Sequence, residues 1–309
     1  MRIAHTHAGV VVPATSANLG PGYDTLGMAL SLHDRLEVEA TAGGLEIEVT
    51  GEGQEDLSRG EDHLVVQALR AGLDHVGAPQ AGLRLRAANA IPHGRGLGSS
   101  AAAVIAGLLL ARGLIADPEA LPDEEVLALA AEIEGHPDNA APALLGGATV
   151  SWTRADGTVR AVRWDDPEQT ARLRPVVLLP TATLSTSSAR RLLPAEVPHE
   201  DAAFTASRCA LLVHALTRDP SLLMDATEDR LHQGYRRDGM PQSVELMRVL
   251  RHEGYPAVIS GAGPSVLVLD DAAGANRLPG IVREAVDDPR AWRLARVGID
   301  RSGARSVLA

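Results

Sequence analysis

Residues 92–111, PHGRGLGSSAAAVIAGLLLA, decide how the rest of the chain is read. Four of the first seven positions are glycine or proline, two serines follow, and the alanine/leucine run after them reads as buried helix. A glycine-rich loop entering a helix N-terminus is an anion site, because the first four helical N–H groups have no partner within the helix. A Walker-type phosphate loop and a protein-kinase fold both need a lysine. This chain of 309 residues has none; its 29 basic residues are all arginine. The anion must therefore be met by backbone N–H groups, by arginine or by a metal ion. The glycines let the backbone of residues 94–100 approach it closely. Arg95 lies inside the loop, and the hydroxyls of Ser99 and Ser100 sit at the first helical positions, suited to Mg²⁺ or a phosphate oxygen. The bland alternative is a glycine-rich turn leading into a core helix.

Composition narrows the field. The apolar fraction is 45%, ordinary for a globular enzyme, and aromatics are only 2%, so the core is built from Ala, Leu and Val. A net charge of −11 speaks against sequence-independent nucleic-acid binding. The single cysteine, Cys209, leaves no internal disulfide or cysteine-based zinc cluster and suits a reducing compartment. No run approaches the roughly 18 apolar residues of a membrane helix, and residues 1–15 lack the apolar core of a signal peptide. A cytoplasmic protein is expected.

Working outward, residues 9–12 read as a strand stopped by Pro13. Residues 36–40 (LEVEA) and 45–49 (LEIEV) alternate apolar and acidic around Gly43 and Gly44, the pattern of a half-exposed hairpin. Helical spacing covers residues 62–75, 101–112 and 123–134, the last with an acidic first turn suited to its dipole. Beyond residue 150, strands are expected at 159–164 and 175–179, a Ser/Thr-rich loop at 181–188, helices at 202–216 and 243–253, and strand–turn–strand over 258–269. Strand and helix blocks without regular βαβ alternation indicate α+β, with a boundary near residues 155–165.

A metal ion on the loop needs a carboxylate nearby. Glu132 and Glu134 close the helix that precedes GHPDN at residues 135–139, a dense run of polar side chains. Mg²⁺ takes one or two carboxylates plus phosphate oxygens and keeps several waters. The alternative for either glutamate is a solvated helix face.

With these residues in view, the chain resembles the GHMP small-molecule kinases. Three blocks carry the resemblance: PATSANLGPGYDTLG at residues 13–27, PHGRGLGSSAA at 92–102, and SGAGPS at 260–265. EGHPDNAAPALLGG at 134–147, with ANLGPGYD at 17–24, points to the homoserine-specific branch. The resemblance spans essentially the whole chain, with Tyr23 standing where phenylalanine is usual. It implies an α+β fold of two domains: residues 1–160 nucleotide-binding and like the second domain of ribosomal protein S5, residues 161–309 ferredoxin-like. It implies transfer of the γ-phosphoryl of ATP to the hydroxyl of L-homoserine, the committed step toward threonine, and a homodimer is a family-level expectation. Under it the nucleotide lies on Pro92, His93, Gly94, Arg95, Gly96, Leu97, Gly98, Ser99, Ser100, Ala101 and Ala102, and Mg²⁺ on Ser99 and Glu132, with Glu134 the alternative.

Homoserine is a zwitterion with a terminal hydroxyl, so its site needs an anion, a cation fork and neutral hydrogen-bonding groups. The resemblance implies Asp24 at the ammonium with Asn18 beside it, and Arg190 and Arg236 at the carboxylate, where a guanidinium binds bidentately. Gly263 joins them, and His136 and Asn139 fall at the hydroxyl. Each has a plainer reading: Asn18 and Asp24 as turn residues around Gly20-Pro21-Gly22, the arginines as surface charges, His136 as a turn histidine. Asp138 stands where some relatives have a catalytic aspartate partnered by lysine or arginine. No such partner is evident here, so a mechanism without a protein base, in which the γ-phosphate takes the hydroxyl proton, is the expectation. Two rivals remain. A mevalonate-type alcohol kinase would leave Asp24 without an ammonium to bind. A non-catalytic ATP-binding module would have no need of the metal and hydroxyl residues.

Overall fold

The computed structural model describes residues 1–164, 168, 173–269 and 276–307. The chain opens with two long antiparallel strands, β1 (His7–Ala17) and β2 (Leu26–Thr41), paired from His7–Glu39 to Ala17–Gly27 with a bulge between Pro13 and Ala14. β3 (Leu45–Gly51) follows, then α1 (Leu64–His75) and β4 (Gly82–Asn89). β3 does not pair with β2 as the expected hairpin. β4 inserts between them, antiparallel to β2 and parallel to β3, with α1 as the crossover. Period-2 alternation shows which face of a strand is wet but says nothing of its neighbour.

The helix read from the opening stretch is α2 (Ser99–Leu114), longer at both ends than expected and almost wholly buried against α1 and β1. Its alanine/leucine composition carries no polar face, which is what a central helix requires. α3 (Asp123–Glu134) and α4 (Ala140–Leu145) complete the layer over the sheet, α3 with Asp123, Glu124 and Glu125 at its dipole's positive end. β5 (Ala148–Thr153) and β6 (Val159–Arg163) extend the sheet from β2.

The second sheet is four-stranded and antiparallel, in the order β10 (Trp292–Arg296), β7 (Val176–Pro180), β9 (Val266–Val268), β8 (Ala257–Ile259). Around it lie α5 (Thr186–Arg191), α6 (His199–Thr217), the single turn α7 (Leu223–Ala226), α8 (Pro241–His252) and α9 (Leu278–Ala285). α5 takes up part of the stretch expected to be loop, capped by Ser185 Oγ accepting from Ser188 N–H. Alternate residues of β7 sort to two cores: Val177 and Leu179 join the main core with α2, while Val176 and Leu178 join a second core with α8 and α9. Sheet membership also departs from a division at residue 160. β6 lies in the first sheet, and β11 (Arg305–Val307) returns from the end of the chain to pair with β1. His33 Nε2 and Asp300 Oδ2, 2.7 Å apart, fasten that return. Among the described residues no helix is long and apolar enough to cross a membrane.

Candidate active site

One cleft of about 360 Å³ lies where the two sheets meet, lined by the loop after β4, the turn after β1, the start of α4, α5, and the turn between β8 and β9. The loop of residues 92–98 enters it with Gly94, Gly96 and Gly98 all in the left-handed region (φ +63°, +72° and +65°). A Cβ on Gly98 would collide with Thr15 Oγ1 and approach Asn139 Oδ1 to 2.9 Å. Glycine is needed there because the loop is pressed against β1 and the start of α4. Thr15 Oγ1 itself donates to Asn139 Oδ1 at 2.8 Å. Ser260 Oγ donates to Gly96 O at 2.6 Å, tying the loop to the turn after β8. Among the described residues the N–H groups of residues 96–100 have no partner within the protein. The loop and the α2 N-terminus therefore present a cluster of free donors to the cleft.

The serines divide differently from expectation. Ser99 Oγ is engaged by His93 Nδ1 at 2.8 Å, whereas Ser100 Oγ donates to Glu134 Oε1 at 2.5 Å. Glu134 lines the cleft, and burial raises its carboxyl above the ordinary range despite the Ser100 hydrogen bond. Glu132 is exposed and lies outside the cleft, whereas Glu134, the alternative to it, lines the cleft together with Ser99 and Ser100. Ala101 and Ala102 are also outside it, packed in the core on α2.

Among the described residues, Asn18, Leu19 and Asp24 are the three non-glycine residues with positive φ, and all fall in the turn between β1 and β2. Left-handed backbone costs on the order of 1 kcal/mol per residue and concentrates where a site needs it. Asn18 holds this turn: its Oδ1 accepts from Asp24 N–H at 3.0 Å and its Nδ2 donates to Gly261 O at 2.9 Å. Asp24 then faces α5, where Arg190 grips it with both arms, Nη2–Oδ1 2.7 Å and Nη1–Oδ2 3.1 Å. Arg190 Nη1 also donates to Tyr23 OH at 3.1 Å.

Arg236 is the outlier of the cleft. It is 2% exposed, yet among the described residues no carboxylate lies within ion-pair distance of it. Its Nη1 donates to Gly261 O and to His232 Nδ1, both at 3.1 Å, and its Nε has no partner. Burial lowers its pKa from the ordinary arginine value, with Tyr23 and the nearby acids opposing. Tyr23 is pressed between these groups, its ring centroid 5.8 Å from the Arg236 guanidinium and 5.2 Å from the His232 ring. Gly263 lines the cleft, but its N–H already donates to Ser260 O at 2.8 Å, so it offers shape rather than a donor.

Asp138 has a partner that the sequence did not disclose. His136 Nδ1 lies 2.5 Å from Asp138 Oδ1, and Asn139 Nδ2 donates to the same oxygen at 3.4 Å. That hydrogen bond raises the His136 pKa against the opposing effect of burial. Not singled out from sequence is His232, with Asp229 and Gln233 behind it. A histidine four residues before Arg236 was the available signal, and nothing in its spacing marked it as buried.

A loop of free donors, a buried guanidinium and an Asp–Arg pair in one cleft suit a small zwitterionic acceptor beside a phosphate donor. Residues 63–147 match the family model described as the GHMP kinases N terminal domain. The homoserine kinase of Streptomyces coelicolor is 51% identical over 296 residues, covering 96% of this chain and 93% of that protein. That of Mycobacterium tuberculosis is 51% identical over 271 residues, covering 85% and 84%. This chain belongs to the homoserine kinases, a branch of the GHMP kinases. The fold agrees across greater sequence distance. The crystal structure of homoserine kinase from Cytophaga hutchinsonii superposes with a TM-score of 0.83 at 24% identity, covering 98% of both chains. A putative homoserine kinase from Listeria monocytogenes gives 0.73 at 31%, covering 98% of this chain and all of the other. Membership of the homoserine kinases makes the chain a phosphotransferase acting on an alcohol group, with a mixed α+β GHMP fold.

Proposed function

We propose that the cleft phosphorylates the terminal hydroxyl of L-homoserine with ATP, and that Arg236 is the residue that receives the substrate α-carboxylate. The supporting observation is Arg236 itself: a desolvated cation without a carboxylate is costly unless an anion completes it. Asp24 takes the α-ammonium. Its pair with Arg190 leaves over a third of each side chain exposed (36% and 37%), and such pairs contribute about 1 kcal/mol or less. The substrate's two charges can therefore exchange into it, ammonium on Asp24 and carboxylate beside Arg190 and Arg236. Asn18 positions Asp24 through the turn.

The phosphates of ATP are assigned to the free N–H groups of residues 96–100, with Arg95 at the loop's edge. The residues present fit Mg²⁺. Glu134 is a half-buried carboxyl joined to Ser100 at the N-terminus of α2, and two protein ligands are what this ion asks for when phosphate and water complete its shell. When bound there, Mg²⁺ neutralises charge on the β- and γ-phosphates.

His136 and Asn139 stand at the hydroxyl. Asp138 accepts from both, so we assign it to orienting them. The hydroxyl oxygen attacks the γ-phosphorus, the bond from that phosphorus to the β,γ-bridging oxygen breaks, ADP leaves, and the hydroxyl proton passes to a γ-phosphate oxygen. On this reading catalysis is alignment and electrostatics. ADP release with homoserine, threonine, serine and mevalonate tests the assignment: rapid turnover is expected with homoserine alone, and equal turnover with mevalonate would overturn it.

A further inference from the structure

His232 is a fully buried histidine that does not itself line the cleft, and its two ring nitrogens meet Arg236, which does, and the turn between β1 and β2. Nδ1 lies 3.1 Å from Arg236 Nη1, and Nε2 lies 2.6 Å from Gly20 O. Arginine can only donate, so Nδ1 must be the bare nitrogen, and Nε2 then carries the hydrogen and donates to the Gly20 carbonyl. A protonated ring would set an N–H against the guanidinium. The Arg236 contact thereby favours the neutral tautomer, and burial lowers the ring's pKa in the same direction, outweighing the opposing Asp229 carboxylate 3.7 Å from Nε2.

The surroundings hold this histidine in place from both sides. Asp229, itself buried, accepts from the N–H groups of Leu231, His232 and Gln233, closing the turn that carries the ring. Gln233 Oε1 accepts from Ile259 N–H at 2.7 Å, fastening the same turn to β8. Gly20 lies inside the strained turn that bears Asn18 and Asp24, and Gly261 O accepts from both Asn18 Nδ2 and Arg236 Nη1. The ring is the second link, beside Gly261, between the turn bearing Asp24 and the cation.

We infer that His232 is a positioning residue for the acceptor site: as a neutral acceptor it aims Arg236 without cancelling its charge, and it keeps that cation in register with the Asp24 turn. A carboxylate in its place would aim the guanidinium equally well but would neutralise it and compete with the substrate's carboxylate. An imidazole supplies direction and leaves the full charge for the ligand. This rests on the assignment of Arg236 to the α-carboxylate.

The test compares two substitutions in the full chain, with two competing ligands. Asparagine places its amide oxygen at the depth of Nδ1, and glutamine reaches the depth of Nε2. The ligands are homoserine, read as KM, and 3-aminopropan-1-ol, which lacks only the carboxylate, read as an inhibition constant. His232→Gln should weaken homoserine roughly tenfold or more, the amine less than about threefold, and leave the KM for ATP in place. His232→Asn should restore most of the homoserine affinity. Equal losses for both ligands, or none, would reduce His232 to a packing residue and overturn the inference. Because a buried substitution can impair folding, ¹⁵N NMR of His232 in the wild-type protein supplies a second reading: the neutral ring with hydrogen on Nε2 is expected, and an imidazolium or the Nδ1–H form overturns the proposal. Arg236→Leu separates the two layers. If it fails to narrow discrimination between homoserine and the amine, the carboxylate assignment itself falls; if it narrows and His232→Gln does not, only the role of His232 falls.

Discussion

Arg190 holds Asp24 by a two-pronged ion pair, 2.7 and 3.1 Å, across 166 residues of sequence. Under the assignment proposed above, these are two of the charges a zwitterion requires, and their modest mutual stabilisation leaves them exchangeable. Asp24→Asn should raise the KM for homoserine by about 10- to 100-fold, since a charge-assisted hydrogen bond is worth about 1.5–3 kcal/mol. It should also narrow the preference over 4-hydroxybutyrate, which lacks the ammonium. A wild-type enzyme that accepts 4-hydroxybutyrate as well as homoserine would remove the ammonium assignment for Asp24.

Arg236 sets function against stability. Among the described residues no carboxylate pairs with it, and replacing such a buried cation with an apolar group of similar reach relieves a desolvation cost. Arg236→Met should melt no more than a few degrees below wild type while the KM for homoserine rises by at least about tenfold. Thermal unfolding and initial rates check both halves, and a large drop in Tm would show that the guanidinium is chiefly structural.

The two glutamates of α3 offer a clean contrast. Glu134→Gln should raise the Mg²⁺ concentration needed for half-maximal turnover and lower kcat, and Ser100→Ala should do so more weakly. Glu132→Gln, on the exposed face, should leave the metal titration where it is. The reverse order would move the metal site to the other side of the helix.

Gly98→Val should lose ATP affinity and thermal stability together, because its Cβ meets Thr15 and Asn139 in a backbone conformation of φ +65°. The penalty is on the order of 1–3 kcal/mol or more. Gly94→Ala meets only Thr183 at 3.4 Å and keeps just the strain of its φ, so it should be the milder change. Nucleotide titration and melting curves on the pair separate loop shape from fold.

The His136–Asp138 pair predicts a direction with pH. Its hydrogen bond raises the His136 pKa above the ordinary 6.5. A group raised on folding stabilises fully below its unfolded pKa, and that contribution fades as pH climbs through the folded value. The Tm advantage of wild type over His136→Asn should therefore be larger at about pH 6 than at about pH 8.5. An advantage that grows with pH would mean that the ring is held neutral.

Much of this site was legible in the residues alone. The glycines of residues 92–98 and the apolar run behind them announced a loop of free N–H groups on a buried helix, because unpaired helical N–H groups and glycine's backbone freedom are local properties. The motifs around Asn18, Asp24, His136 and Asn139 pointed to a small-molecule kinase, and α3 has the bounds its spacing suggested. Tertiary structure decided what lies between segments. Glu132 and Glu134 are chemically alike, but two residues along a helix turn a side chain by about 200°, so only packing could say which meets Ser100. Alternation in residues 36–40 and 45–49 marked strands, yet β4 separates them, because a strand's pattern encodes its faces and not its partner. Arg236 was a candidate among many arginines until burial without a carboxylate, and a neutral histidine behind it, set it apart. Charge is written in the sequence; desolvation and the identity of a distant partner exist only once the chain has folded.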